Sequence, residues 1–346
     1  MAYQAKGKRE APRNDRRTGQ EQERTEPKKR KNPLLTVLLV IAVLVVGIYA
    51  AFHLLVPAPE MVQPNITTEE GENEAVAATL QRRKGVYNIL LAGTDFGGTR
   101  TDTMMVMSYD IPNKKVGVVS VPRDTLVERP SGKNPRLVYG PGGIDARRDE
   151  ISDLLGIPID YYAKVDLDAF IALVDEVGGV EFYVPCDMNY DDPAQNLSIH
   201  FEEGMQHLTG QQAMEVCRFR KNNDGTGYTD VGRTQTQQQL IVALAKKMLS
   251  LSTLTNIKGF VEIFETYVET DLSMTDLLYF GSRALGLDTA NGVETATLEG
   301  NGTVKYNGYR FCYALYTDKA VDVVNRLINP YTRDLTAEDM NILGGY

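Results

Sequence analysis

The sequence predicts an α/β protein with a central mixed sheet and helices on both faces, preceded by one membrane-spanning helix. Three observations carry this. Short apolar runs that end at Gly or Pro alternate with stretches whose apolar residues recur at helical spacing. The link Asp110-Ile-Pro-Asn113 between two such runs has hairpin chemistry, so part of the sheet is antiparallel. Residues Leu34 to Val56 form a 23-residue stretch without a single charge.

The N-terminal quarter is read from charge. Residues 1–33 hold eleven Lys/Arg and five Asp/Glu, with almost no large apolar side chains. They are expected to be a disordered basic tail. The uncharged 34–56 stretch would be roughly 34 Å long as a helix, enough to cross a bilayer core. Lys28, Lys29, Arg30 and Lys31 precede it, so the tail is expected in the cytoplasm and the body outside. A cleaved signal peptide would usually have a shorter apolar region and a clearer small-residue site than Ala58 between two prolines offers. From Pro57 onward 26 basic residues face 41 acidic ones. Residues 57–84, with Pro, Thr, Glu and Asn, read as a stalk.

The body is expected over 85–330. Val86–Gly93, Thr103–Tyr109 and Lys115–Val121 read as its first strands. Glu150–Leu155 reads as a short helix stopped by Gly156. Tyr161–Val165 is a strand, and Leu167–Val177 a helix closed by Gly178-Gly179. Val180–Val184 is a strand, Gln211–Val216 a helix, Asn222–Gly227 a loop. A long helix is expected from about Asp230 to Leu249. Helices near Ile257–Val268 and Met274–Leu285, strands Val293–Leu298 and Tyr309–Ala314, and a helix Asp318–Leu327 complete the body. Residues 331–346 are expected to be a tail.

Composition excludes several classes. Apolar residues make up 42% of the 346, enough for a large core. Three cysteines cannot make a disulfide framework, and Cys186, Cys217 and Cys312 sit among apolar neighbours as small core residues do. Three histidines away from any Cys pair argue against a Cys/His zinc site. A net charge of −9 argues against nucleic acid as a partner. There is no phosphate loop of the Gly-x-x-x-x-Gly-Lys type, no Gly-x-Ser-x-Gly elbow and no serine with a lysine three positions on.

What remains is arginine and aspartate at the ends of elements. Asp95 follows the first strand. Arg100 and Asp102 stand two apart at the entry of the second, hence on one face of an extended chain. Arg123 leaves the third. Arg218 and Arg220 are two apart beyond a helix, and Arg233 and Gln237 are four apart on a helix face. Surface ion pairs would explain any one of these, but not their shared placement. Arginine's planar fork suits phosphate, and several forks suit a pyrophosphate. Asp95 and Asp102 would repel such a ligand unless a divalent cation stood between them, as Mg²⁺ commonly does.

The motifs NILLAGTD (88–95), RTDTMMV (100–106), VVSVPRDT (118–125), LLGIPIDYY (154–162), FIALVDEVGGVE (170–181), GMQHLTGQQAMEVCRFR (204–220) and VGRTQTQQQ (231–239) stand in this order. Together they resemble the LytR–CpsA–Psr family of cell-wall glycopolymer ligases. The resemblance covers roughly 85–250 and is looser in the C-terminal third. It implies a three-layer α/β/α domain with an apolar pocket for a polyprenyl chain. It implies Mg²⁺ (or Mn²⁺) held by Asp95 and Asp102, and a pyrophosphate held by Arg100, Arg123, Arg218, Arg220, Arg233 and Gln237. Asp95, Asp102 and Arg123 would be catalytic, with either aspartate able to assist deprotonation of the acceptor. The implied partners are a polyprenyl-pyrophosphate-linked glycan of teichoic acid or capsular type, a peptidoglycan acceptor and the lipid bilayer. Two departures stand out. In NPRLVYGPGG only Tyr139, Gly142 and Gly143 correspond to the family pattern, and Thr236 stands where many relatives carry another arginine. A polyprenyl-pyrophosphate phosphatase would use the same donor-side residues. A non-enzymatic envelope regulator would have only a 33-residue tail to act through.

Overall fold

A computed structural model of the chain describes residues 56–63, 80–94, 101–130, 132–139, 142–227, 230–248, 262, 264–284, 287–288 and 291–343. The expected tail and nearly all of the 34–56 span lie outside these residues. Among the described residues no helix is long and apolar enough to cross a membrane.

The strands are β1 Val86–Thr94, β2 Thr101–Asp110, β3 Lys115–Ser120, β4 Tyr161–Val165, β5 Val180–Val184, β6 Met188–Asp192, β7 Leu197–Phe201, β8 Gly204–Leu208, β9 Val268–Thr270, β10 Val293–Thr297, β11 Gly300–Tyr306 and β12 Tyr309–Leu315. The helices are α1 Gly143–Leu155, α2 Leu167–Glu176, α3 Gly210–Arg218, α4 Asp230–Met248, α5 Met274–Ala284 and α6 Thr317–Leu327. Six strands form the central sheet in the order β10-β3-β2-β1-β4-β9. β1 pairs antiparallel with β2, in register Val86 with Asp110, and parallel with β4, in register Ile89 with Tyr161. β3 runs antiparallel to β2 and parallel to β10. The sheet is therefore mixed. The expected hairpin link is present, with Asp110 Oδ1 accepting from Asn113 N at 3.0 Å and Lys114 at φ 52°.

Side chains alternate across a strand, so β1 and β2 feed two faces. Leu90, Ala92, Met104, Val106 and Val119 form one core with Ile144, Ile151 and Leu155 of α1 and Ala320 and Val324 of α6. On the opposite face, the Phe280 ring of α5 meets the edges of Tyr87 and Tyr161 at 5.0 and 6.2 Å. Also on that face, Gln238 of α4 donates to Ser120 Oγ at 2.9 Å and to the Ala296 carbonyl at 2.7 Å. Helices thus cover both sides of the sheet. A second core joins Leu173 and Val174 of α2, Ala213 and Val216 of α3, Leu240 and Leu244 of α4, and the inner faces of β5 to β8.

Several elements differ from the sequence reading. The helix expected at 150–155 begins at Gly143, because Gly142 and Gly143 take φ of 97° and 72° and set its entry. β6, β7, β8, β9 and β11 were not expected. β6 and β7 are rich in Asp, Asn and Ser, and they form a hairpin inserted between the paired strands β5 and β8. Of the helix expected near 257–268, residues 257–261 and 263 lie outside the described residues; 262 and 264–267 are helical, and Val268 opens β9.

The body also extends past both expected edges. Arg82 and Asp160 form a buried two-point ion pair at 2.5 and 2.9 Å, with side chains 3% and 0% exposed. Arg82 also donates to the carbonyls of Val62 and Val86, and Asp160 accepts from the backbone N–H of Val62 and Asn88. Part of the expected stalk is therefore pinned to the edge of β1. At the other end Tyr331, Leu335 and Met340 lie in the first core instead of forming a tail. Arg333 grips Asp339 there and holds its carboxyl down to about 2.

Removing either partner of the buried Arg82–Asp160 pair would leave a lone buried charge, which is costly. Asp160→Asn is expected to destabilise the protein by about 3 kcal/mol or more in chemical denaturation. A change below about 0.5 kcal/mol, the range of an ordinary surface substitution, would show that the pair does not pin this edge.

Candidate active site

On the α4 face of the sheet lies a cavity of about 860 Å³. Its position follows from topology. Ligands of open α/β sheets collect at the carboxyl ends of parallel strands, and β1 and β4 both end here, at Gly93-Thr94 and Val165. The lining of α4 is graded. Arg233, Gln237, Ile241 and Leu244 follow one helix face at spacings of four, four and three. Along roughly 16 Å of helix the wall passes from cation through amide to hydrocarbon. Leu91 and Met105, which pair across β1 and β2, continue the apolar wall with Phe170 and Leu173 of α2. Ile241 and Leu244 line the cavity, whereas Leu240 lies in the second core alone.

The polar end gathers most of the residues singled out from sequence. Asp102, Arg123, Arg218, Arg220, Arg233 and Gln237 all line the cavity. Asp95 and Arg100 lie outside the described residues. Arg123 Nη1 donates to Asp102 Oδ1 at 2.6 Å, and its Nε lies 3.4 Å from Asp124. Burial opposes the Arg123 charge, but the hydrogen bond and the field of Asp102, aided by Asp124, outweigh it and raise its pKa. Arg218 is the last residue of α3. Phe219 then turns extended (φ −59°, ψ 134°) and is fully buried. Arg218 and Arg220 consequently point the other way together, as alternation along an extended chain requires. Gln237 is braced from two sides: Thr103 Oγ1 donates to its Oε1 at 3.3 Å, and its Nε2 donates to the Cys217 carbonyl at 3.2 Å. Thr236 is buried, with Oγ1 donating to the Gly232 carbonyl, so that helix position faces away from the cavity.

Some lining residues escaped the sequence reading. Gln195 accepts from Arg218 Nη2 at 2.7 Å and donates to Asp192 at 2.5 Å, holding the guanidinium in place. It rides on the turn of the β6–β7 hairpin, whose polar sequence gave no strand signal. Lys221 and Tyr190 also line the cavity. Lys221 was detectable as the third base after Arg218 and Arg220. Five cations, Arg123, Arg218, Arg220, Lys221 and Arg233, thus share the lining with two carboxylates, Asp102 and Asp166. Asp166 caps α2 through the Ala169 N–H at 2.8 Å. In a chain of net charge −9 this is a local concentration of positive charge. Burial pushes the Cys217 thiol up to about 12, so it stands protonated as wall and not as a nucleophile.

Among the described residues no three His, Cys, Asp or Glu come together as a metal cage. Mg²⁺ does not require one. It usually keeps several waters and takes one or two carboxylates together with substrate phosphates. Asp102 presents a carboxylate of that kind at the cavity, with one oxygen already paired to Arg123.

Known proteins are similar to this chain in sequence and fold. The teichoic acid transferase TagV of Bacillus subtilis is 32% identical over 230 residues, covering 63% of this chain; the match spans only 58% of that relative's length. The teichoic acid transferase TagU of Bacillus mycoides is 29% identical over 308 residues, covering 86% of this chain and 97% of the relative. The crystal structure of B. subtilis TagV superposes with a TM-score of 0.59 at 28% identity, over 70% of this chain and 95% of that one. The structure of TagT bound to LIIa-WTA shares the fold at a TM-score of 0.58 and 23% identity, over 72% of this chain and 92% of that one. The profile of the LytR_cpsA_psr family matches residues 59–329, and the chain belongs to the LytR–CpsA–Psr family.

Proposed function

We propose that this chain is a membrane-anchored phosphotransferase of cell-wall assembly. It moves a glycopolymer with one phosphate from a polyprenyl pyrophosphate onto a peptidoglycan hydroxyl. The observation that carries this reading is the continuity of an arginine-lined mouth with a hydrocarbon-walled cavity along one face of α4. Few ligands other than a lipid pyrophosphate call for both. The names of TagV and TagU, both polyisoprenyl-teichoic acid–peptidoglycan teichoic acid transferases, support it. The uncharged 34–56 span would hold the cavity at the outer membrane surface, where the donor's pyrophosphate emerges.

In this reading the acceptor oxygen attacks the phosphorus that bears the glycan. The bond from that phosphorus to the bridging oxygen breaks, and polyprenyl phosphate leaves. The hydroxyl proton passes to an aspartate, Asp102 or Asp95. Arg123, Arg218, Arg220 and Arg233 offset charge on the transferring group and on the leaving phosphate. Arg100 would join them. Gln237, fixed at both ends, would donate to a phosphate oxygen only by giving up its bond to the Cys217 carbonyl. Mg²⁺ or Mn²⁺, held by Asp102 and Asp95, would neutralise part of the pyrophosphate charge.

Product analysis separates this reading from its nearest rival. Full-length protein with a radiolabelled polyprenyl-pyrophosphate glycan and peptidoglycan should yield glycan phosphate bonded to the acceptor, dependent on Mg²⁺ or Mn²⁺. Release of free glycan phosphate with and without peptidoglycan would make the protein a phosphatase. Undiminished transfer in EDTA would remove the metal from the account.

The arginines can be tested separately. Lysine keeps the charge of Arg218 or Arg220 but loses the bidentate fork. Arg218→Lys also loses its bond to Gln195, and is expected to cost about 1–3 kcal/mol in kcat/KM. Wild-type kcat/KM in both Arg218→Lys and Arg220→Lys would mean that only point charge matters.

A further inference from the structure

A second group of side chains adjoins Arg123 on the side away from the cavity. Asp124 Oδ2 lies 3.4 Å from Arg123 Nε, and Asp124 Oδ1 lies 3.6 Å from Arg136 Nη1. Arg136 Nε donates to Asn134 Oδ1 at 3.2 Å, and its guanidinium sits 4.4 Å from the centre of the Tyr139 ring. One face of that ring is thereby covered, yet Tyr139 remains 45% exposed. Asp124, Arg136 and Tyr139 do not line the cavity.

Backbone pairing places this ring beside Arg123. Val138 N donates to the Arg123 carbonyl at 2.8 Å, and Leu126 bridges Arg136 in antiparallel sense. On the other flank Thr125 bridges Tyr313 in parallel sense, and Tyr313 N donates to the Asp124 carbonyl at 2.8 Å. Phe311 stands two residues before Tyr313 on this flank. Phe311 is 70% exposed and has φ 58°. A bulky aromatic in the left-handed region is strained, and here no burial compensates the strain. Folding alone would favour glycine at this position.

We propose that Tyr139 and Phe311 flank a subsite for a sugar ring of the glycan acceptor, with Asp124 and Arg136 binding its hydroxyls. This rests on the transferase reading above. In-line displacement brings the nucleophile in opposite the leaving group. The leaving polyprenyl phosphate belongs to the cavity side, so the acceptor enters from the outer side of Arg123. A sugar ring presents C–H faces that pack on aromatic faces, and hydroxyl edges that bond carboxylate and guanidinium. Tyr139, held by Arg136, loses little freedom when a ring settles on it.

The test uses full-length protein in detergent with a soluble peptidoglycan glycan oligosaccharide as acceptor. Phe311→Gly removes the ring and relaxes the backbone, so its Tm should equal or exceed that of the wild type. Phe311→Gly and Tyr139→Ala should each raise the acceptor KM by about tenfold. Both should leave the donor KM within about twofold, and Tyr139→Phe should behave as wild type. Saturation-transfer NMR of the oligosaccharide alone needs no turnover. It should show sugar-ring contacts that both truncations abolish, even if phosphate transfer itself proved absent. Unchanged acceptor KM and unchanged NMR contacts would overturn the subsite. So would a rise confined to the donor KM, which would assign the aromatic rings to the donor's own sugar.

Discussion

A hydrocarbon-walled space beside a charged mouth must be held open against collapse. Protein interiors close to crystal-like density wherever they can, because apolar side chains gain contacts by doing so. Here the walls cannot meet. β1, central in the sheet, is fixed by its pairing with β2 and β4. α4 is fixed by the second core, where Leu240 and Leu244 pack among residues of β5, β7 and α3. α2 and α3 are locked together at Gly210, where a Cβ would collide with the Ile171 carbonyl. The gap between sheet and helix layer is thus set by packing done elsewhere. Leu91, Met105, Phe170 and Ile241 are left facing a space they cannot fill.

The charges obey a related constraint. Five cations near one another repel unless anions intervene, and Asp102 supplies one carboxylate at the point of greatest need. Its bond to Arg123 stabilises the guanidinium in a half-buried place where burial alone would disfavour it. The same carboxylate would face an incoming pyrophosphate unfavourably, which is why a divalent cation belongs in the proposed reaction. Gln195 and Thr103 are neutral, so they orient Arg218 and Gln237 without lowering the positive potential of the mouth.

Much of this was legible in the sequence, and for physical reasons. β1 and most of β3 are buried, and their apolar runs are nearly continuous. The α4 grading was visible as Arg233 and Gln237 four apart. Arg218 and Arg220 revealed their shared face through spacing of two. The hairpin β6–β7 was not legible, because its strands lie half in solvent and read as loop. With it went Gln195. The Arg82–Asp160 pair was also hidden: its partners stand 78 residues apart, and nothing in local pattern announces a long-range buried ion pair. The 331–343 segment was missed because it is mostly exposed or half-buried and is anchored in the core at only Tyr331, Leu335 and Met340.

The proposed reaction requires one lipid pyrophosphate to span both halves of the cavity, and photo-crosslinking can locate it. A polyprenyl pyrophosphate carrying a diazirine on an early isoprene unit would be bound to the full-length protein, irradiated, and mapped by peptide mass spectrometry. Adducts are expected on the apolar wall of α4 and α2, at Ile241, Leu244 and Phe170, suppressed by excess unlabelled lipid pyrophosphate. Adducts confined to other surfaces, with the cavity wall unmarked, would contradict that requirement.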